Sequence, residues 1–140
     1  MSIDREEGGK VFREAWIEGV TTHYAGTPKD SFITPWEDTP DWEKASAAAV
    51  YQQVAEFIRV TNGAATRLSP ETKGQFVAIC WVGQIYARIP DPKPGYVAPW
   101  EQLPEWQQRT DIGIFEAVER DVAGAEAFPL NPDPRPTSES

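Results

Sequence analysis

The stretch KPGYVAPWEQLPEW, residues 93–106, places three prolines, one tyrosine and two tryptophans in one short segment. The stretch KDSFITPWEDTPDW, residues 29–42, is a second version of it in the same register. At an offset of 64 residues, positions 28–42 and 92–106 share seven identities in fifteen. The identical pairs are Pro28/Pro92, Lys29/Lys93, Pro35/Pro99, Trp36/Trp100, Glu37/Glu101, Pro40/Pro104 and Trp42/Trp106. A match this dense indicates an internal duplication.

The same offset extends the similarity outward on both sides. The outer pairs are Phe12/Phe76, Gly19/Gly83, Val50/Ile114, Tyr51/Phe115 and Val54/Val118. We therefore predict two repeats, at about residues 5–61 and 69–124, each consisting of a helix, a loop and a second helix.

Capping residues predict the helix boundaries of the second repeat. Residues 69–71, Ser-Pro-Glu, are typical of a helix start. This helix is expected to end before Pro90, because proline disfavours helical continuation. The next helix is expected to start at Pro104, to run to about Val122 and to stop at Gly124. The expected inner positions are Phe76, Ile79, Cys80, Gly83 and Tyr86 on the first helix and Ile114, Phe115, Val118 and Val122 on the second.

The first repeat follows the same plan. Its first helix is expected over about residues 5–20, and its second starts at Thr-Pro-Asp, residues 39–41, and ends at Asn-Gly, residues 62–63. The expected inner positions are Phe12, Ala15, Trp16 and Gly19, then Val50, Tyr51, Val54, Phe57 and Ile58.

These elements predict a mainly α fold, in which two helix-loop-helix repeats pack as a four-helix arrangement with pseudo-two-fold symmetry. The two helices of one repeat cannot bury both of their apolar faces alone, so the repeats should pack on each other. Residues 1–128 are expected to form one domain, and the Pro-rich tail, residues 129–140, is expected to be disordered.

The composition of the chain excludes several classes of function. A formal net charge of −9 over 140 residues disfavours nucleic-acid binding, because phosphate backbones are repelled. The single cysteine allows no intramolecular disulfide. The sequence contains no leader-like segment and no apolar run of about 18 residues, so a cytoplasmic location without membrane contact is expected.

The repeated Pro-Trp loops have two interpretations. In the structural one, the tryptophans pin a long loop onto the helices, and the prolines and acids suit the helix starts. In the functional one, the loops form ligand sites, in which the aromatic residues stack on a planar group, the lysines hold an anion and the glutamates fix orientation. The candidate ligand-binding residues are Lys29, Phe32, Trp36, Glu37, Lys93, Tyr96, Trp100 and Glu101.

Residues 93–111, KPGYVAPWEQLPEWQQRTD, resemble the core of the RyR domain, a repeat first described in ryanodine receptors and found alone in bacterial and phage proteins. Matching positions in the second copy are Lys93, Val97, Pro99, Trp100, Leu103, Pro104, Glu105 and Asp111. Those in the first are Lys29, Ile33, Pro35, Trp36 and Pro40, with Thr39 in place of leucine. The resemblance implies a tandem, mainly helical, non-enzymatic recognition module, with nucleotide-derived ligands as the expected class.

Residues suited to catalysis are sparse. His23 is the only histidine, and Cys80 lies in an apolar run where a thiol is usually inert. Glu37 and Glu101 are the only identical pair of carboxylates in the repeated segments, residues 28–42 and 92–106. No metal-ligand spacing or nucleotide-binding glycine motif is present, so no catalytic residue, metal or cofactor is predicted.

The leading hypothesis is therefore a non-enzymatic module that binds a small planar, nucleotide-derived ligand through the two Pro-Trp loops. The alternative is an adaptor or structural component whose aromatic loops dock a protein partner. The repeated loops also make a homodimer a candidate assembly, because they supply a self-complementary patch.

Overall fold

The chain folds into four α-helices joined by loops that contain short 3₁₀ helices. The computed structural model describes the backbone of residues 2–126 and the side chains of residues 6–124. The helices are α1, Ser2–His23; α2, Asp41–Val60; α3, Pro70–Arg88; and α4, Glu105–Glu126. Residues 2–126 contain no strand, which confirms the predicted mainly α fold. The predicted tail, residues 129–140, lies outside the described residues.

The helix starts follow from the capping residues. The Ser69 hydroxyl accepts a hydrogen bond from the Thr72 amide at 3.2 Å, with Pro70 as the first residue of α3. Pro40 and Pro104 lie one position earlier than predicted, immediately before α2 and α4. Their carbonyls accept the first helical amide hydrogen bonds, at 2.9–3.0 Å.

The predicted end of α2 is confirmed, and the predicted end of α4 is wrong. After α2, Asn62 and Gly63 both take left-handed conformations, and the Gly63 amide donates to the Ile58 carbonyl at 2.9 Å. The predicted stop at Gly124 is wrong, since α4 continues to Glu126. Glycine lowers helix propensity but ends a helix only where the chain turns left-handed.

The two long loops contain the same elements in the same order. The first has 3₁₀ helices at Asp30–Phe32 and Trp36–Asp38, and the second has them at Pro94–Val97 and Trp100–Gln102. A further 3₁₀ helix, Ala64–Arg67, links the two halves. The duplicated sequence therefore forms duplicated local structure.

The burial pattern corrects the alignment of the first helices. Between α2 and α4 the pattern recurs at the predicted offset of 64 residues, but between α1 and α3 it recurs at 65. The corresponding buried pairs are Gly9/Gly74, Phe12/Val77 and Val20/Ile85, and the helix ends His23 and Arg88 also correspond. The predicted pairs Phe12/Phe76 and Gly19/Gly83 are thus shifted by one residue, because the second loop is one residue shorter.

The predicted inner face of α3 is wrong in part. Cys80 is buried and Phe76 stacks on Phe57 at 4.6 Å, as expected for inner positions. Ile79 and Tyr86, however, are 65% and 62% exposed. Gly83 is exposed as well. The buried residues of α3 are Lys73, Gly74, Val77, Ala78, Cys80 and Ile85.

The hydrophobic core lies where the four helices meet. Helix α1 packs on α2 and α4, and α3 packs on α4 and, less extensively, on α2. The largest fully buried apolar side chains of the core are those of Val20, Val50, Val54, Ile58, Val77, Ile85, Ile114, Phe115, Val118 and Val122. A two-fold axis would make the contact of α1 with α4 equivalent to that of α3 with α2. These two contacts differ in extent, so the two-fold axis stays a prediction. None of the helices within residues 2–126 has the length and apolar character needed to cross a bilayer.

Candidate functional site

Arg13 holds the first Pro-Trp loop against α1. Its guanidinium donates to the Thr34 carbonyl at 2.9 and 3.0 Å and to the Ser31 carbonyl at 3.2 Å. Only 4% of this residue is exposed, and the Glu43 carboxylate lies 3.6 Å away. Burial lowers the pKa of Arg13, and the nearby Glu43 charge partly offsets this effect. The corresponding residue of the second repeat is Ala78, which cannot hold its loop in this way.

Phe32 belongs to a four-ring cluster, which also contains Trp16, Tyr24 and Trp106. The ring centroids within the cluster lie 5.0 to 6.0 Å apart. The Trp16 indole N–H donates to the Phe32 carbonyl at 2.8 Å, and the Lys29 ammonium lies 5.7 Å from the Phe32 ring centroid. Two predicted ligand-binding residues, Lys29 and Phe32, are therefore engaged with each other in the first loop.

Trp36 packs its ring edge on α1. A Cβ at Gly9 would lie 2.5 Å from the Trp36 Cη2 atom, so only glycine fits there. The Lys44 ammonium lies over the same ring, 5.6 Å from its centroid. The neighbouring Glu37 is exposed. The first loop therefore has its tryptophan packed by a helix and covered by a cation.

Trp100 packs on α3 in the same way. A Cβ at Gly74 would lie 2.5 Å from the Trp100 Cη2 atom. Gln108 takes the position of Lys44 in the second repeat, and its amide donates to the Trp100 carbonyl at 2.8 Å. The second loop therefore lacks the lysine that covers its counterpart in the first.

A surface depression of about 470 Å³ lies beside Trp100. Its lining residues are Glu71, Trp100, Glu101, Glu105, Gln108, Arg109 and Ile112. The Arg109 guanidinium is paired with Glu105 at 2.8 Å, which leaves two further carboxylates to give the depression a negative charge. Such a site favours hydrogen-bond donors and positive charge and disfavours phosphate.

The structure brings together only part of the predicted set in the second loop. Trp100 and Glu101 both line the depression. Lys93 and Tyr96 do not line it, and both are exposed. The sequence did not predict Glu71, Gln108 and Arg109 as site residues. These residues lie on α3 and α4, outside the repeated segment of residues 92–106. The alignment of the two repeats already shows Lys44 at the position of Gln108. This difference is the sequence signal that distinguishes the two loops.

A second depression, of about 390 Å³, lies between α1 and α4. Its rim mixes acidic residues, Glu14, Glu18 and Glu116, with basic residues that include Arg109 and Arg120. His23 also lines it, at the end of α1. The mixed charges offer no convergent set of groups for one ligand.

The residues considered for catalysis are not gathered in one place. Burial raises the pKa of Cys80 to about 11, so its thiol is protonated at neutral pH. Glu37 and Glu101 are exposed and lie in different loops. Within residues 6–124, no three metal-ligating side chains are grouped to hold an ion.

Ionisable residues are buried at three positions of the second half where the first half has small apolar residues. Lys73, Asp111 and Glu119 correspond to Gly8, Ala47 and Ala55. Lys73 pairs with Glu119, whereas the Asp111 carboxyl has no hydrogen-bond or ionic partner in the described part of the chain. Burial raises the pKa of Asp111 well above its ordinary value.

Asp111→Ala should stabilise the protein by about 1–3 kcal/mol at pH 7, because a buried carboxyl without a partner is replaced by the residue of the other repeat. The folded-state pKa is the higher one, so the wild type loses stability as pH rises from about 4 towards that value. The gain should therefore be smaller below about pH 4, where the carboxyl is protonated. Urea unfolding from pH 3.5 to 7.5 tests this, with Asp111→Asn as the isosteric control. A gain that is independent of pH would contradict it.

Comparison of the chain with family models, with curated proteins and with solved structures gives no match. The geometry of the two loops is therefore the basis for a functional proposal.

Proposed function

We propose that the chain is a non-enzymatic binding module, which recognises a small planar ligand at the depression beside Trp100. The observation that carries the proposal is an indole that lines a depression of about 470 Å³ together with Glu71, Glu101 and Gln108. This volume falls within the range of small-molecule sites, and loops on a rigid helical scaffold commonly hold such sites. The resemblance to RyR domains supports the same class of function.

The charge of the depression selects among planar ligands. Three glutamates line it, and the single arginine is already paired with Glu105. A nucleobase can stack on Trp100 and donate a hydrogen bond from its amino group to a carboxylate, whereas a phosphate would be repelled. The favoured ligand is therefore a nucleoside or a similar amino-bearing heterocycle, rather than a nucleotide held by Lys93.

The two loops are expected to differ in function. In the first loop, the Lys44 ammonium lies over the Trp36 ring. In the second repeat, Gln108 takes the place of this lysine and donates to the Trp100 carbonyl instead. We therefore expect one ligand per chain. A cytoplasmic location is part of the proposal, because a buried free thiol and the lack of disulfides suit a reducing compartment.

Adenosine or guanosine should change the intrinsic tryptophan fluorescence of the protein saturably and raise its melting temperature. AMP and GMP should bind at least about tenfold more weakly, because their phosphate approaches the carboxylates. Both readouts are measured on the full chain at low and physiological ionic strength.

A matched pair of variants locates the site. Glu101→Gln should weaken nucleoside binding about tenfold, the cost of losing a hydrogen bond to a charged group, while Glu37→Gln should leave binding unchanged. Both glutamates are exposed, so neither change should affect folding. Equal losses in the two variants would place the site elsewhere, and a flat nucleoside series would exclude this ligand class.

A further inference from the structure

The four-ring cluster of the first half has an incomplete counterpart in the second half. Trp16 of α1 packs on Trp106 of α4 with ring centroids 5.9 Å apart. Trp81 of α3 packs correspondingly on Trp42 of α2 at 6.3 Å, and Trp81 is backed by Phe12 at 5.6 Å. Each repeat thus places the tryptophan of its first helix on the tryptophan that starts the second helix of the other repeat.

The difference lies in what covers the outer tryptophan. Trp106 also contacts Tyr24 at 5.0 Å and Phe32 at 5.6 Å. Among the ring contacts of residues 6–124, Trp42 has one, with Trp81. The counterpart of Phe32 is Tyr96, which is 50% exposed and makes no ring contact in that part of the chain. Trp42 therefore remains 37% exposed, with no second aromatic residue above it.

Of the five charged residues within five positions of Trp42 in the sequence, four are acidic, and the one lysine, Lys44, lies over the Trp36 ring instead. Glu37, Asp38 and Asp41 are exposed and precede it closely in the sequence. None of the three forms an ion pair in the described part of the chain, whereas Glu43 is paired with Arg13. An occupant of this surface must therefore offer a flat group for the indole and positive charge for the carboxylates.

We propose that Trp42 and Trp81 form a docking surface for a basic segment of a partner protein, with an arginine stacked on Trp42. A guanidinium is planar, stacks on indole and donates in pairs to carboxylates, so it satisfies both requirements. It would take the place that the rings of Tyr24 and Phe32 take over Trp106. A lysine supplies the charge without the flat face. This surface is separate from the nucleoside depression and does not depend on it.

The probe is a nine-residue oligoarginine peptide, compared with oligolysine and oligoglutamine peptides of equal length by isothermal titration calorimetry at 50 and 300 mM NaCl. The wild type should bind oligoarginine about two- to fivefold more tightly than oligolysine, which is the range of an exposed cation–π contact. Oligoglutamine should not bind. Equal affinity for the two basic peptides would overturn the stacking proposal.

Variants separate stacking from general attraction. Trp42→Leu should abolish the preference for arginine and leave the weak binding of both basic peptides, whereas Asp38→Asn with Asp41→Asn should weaken both. Glu56→Gln is the control and should change neither peptide, because this exposed glutamate lies on α2 14 residues after Trp42. An unchanged preference in Trp42→Leu overturns the proposal, and so does a loss that is the same in Glu56→Gln.

Two further readouts test other occupants. A concentration-dependent mass of the wild type that disappears in Trp42→Leu would show that a second copy of the chain covers the surface and would overturn the proposal. Adenosine titration of Trp42→Leu should match the wild type. A failed peptide experiment with intact adenosine binding therefore excludes only this surface, whereas a failed adenosine titration with intact peptide binding excludes only the nucleoside site.

Discussion

Lys73→Met should lower the free energy of unfolding by about 3–5 kcal/mol at pH 7, because it leaves a buried carboxylate without a partner. The Lys73 ammonium lies 2.6 Å from Glu119 Oε2 and 5.7 Å from the Phe115 ring centroid, and both partners are buried. Burial already raises the pKa of Glu119, while the Lys73 charge and hydrogen bond act against that rise. Urea unfolding at pH 7 measures the effect.

The pH dependence of this variant follows from the same pair. Without Lys73, the folded-state pKa of Glu119 rises further above its unfolded value, so protonation relieves the cost. The difference from wild type should therefore be largest near neutral pH and should decrease towards pH 4. A difference that does not change with pH would show that the loss comes from packing alone.

A double substitution distinguishes the cost of an unpaired buried charge from the cost of altered packing. Lys73→Met combined with Glu119→Leu should restore the free energy of unfolding to within about 1 kcal/mol of wild type, because no charge is left buried. The first repeat supports this expectation, since Gly8 and Ala55 occupy the same positions. There Gly8 lies directly against Tyr51, with room for no side chain. A double variant as unstable as Lys73→Met would contradict the charge argument.

The start of α3 and the end of α2 were predictable because they depend on short-range chemistry. Ser69 caps α3 through its own hydroxyl, and Asn62 with Gly63 ends α2 through left-handed backbone angles. Both effects act within a few residues of the helix end. The predicted mainly α fold follows from four such helices with apolar faces.

The inner face of α3 was not predictable from apolar spacing alone. This helix carries two apolar stripes: one includes Ile79 and Tyr86, which are exposed, and the other includes Val77 and Ile85, which are buried. Periodicity weights both stripes alike, and tertiary packing decides between them. The pairs Gly9/Gly74 and Trp16/Trp81, at an offset of 65 residues, would have selected the correct stripe.

The candidate site was predictable only where it is local. Trp100 and Glu101 are neighbours in the repeated phrase and lie together in the structure. Glu71 comes from the start of α3, and Gln108 and Arg109 come from α4, so their convergence depends on helix packing. The lysines were assigned by type rather than by position, and Lys29 instead lies over Phe32.

Trp106→Ala should lower the free energy of unfolding by about 3–5 kcal/mol, whereas Trp42→Ala at the matching position should cost about 1–2 kcal/mol. Trp106 joins α4 to Trp16 of α1 and to two rings at the first loop, so its removal opens a cavity among three elements. Trp42 contacts Trp81 and is partly exposed, so less apolar area is lost. Urea unfolding with near-ultraviolet circular dichroism measures both changes.

The comparison between these two tryptophans also tests whether Trp106 is packed more fully than Trp42. Tyr24→Ala serves as the control, because it removes one ring from the cover of Trp106 and should cost less than Trp106→Ala itself. It should also leave the near-ultraviolet signal of Trp42 and Trp81 in place. Equal costs for Trp42→Ala and Trp106→Ala would mean that Trp42 is packed as fully as its counterpart. The docking surface would then have no open ring on which an arginine could stack.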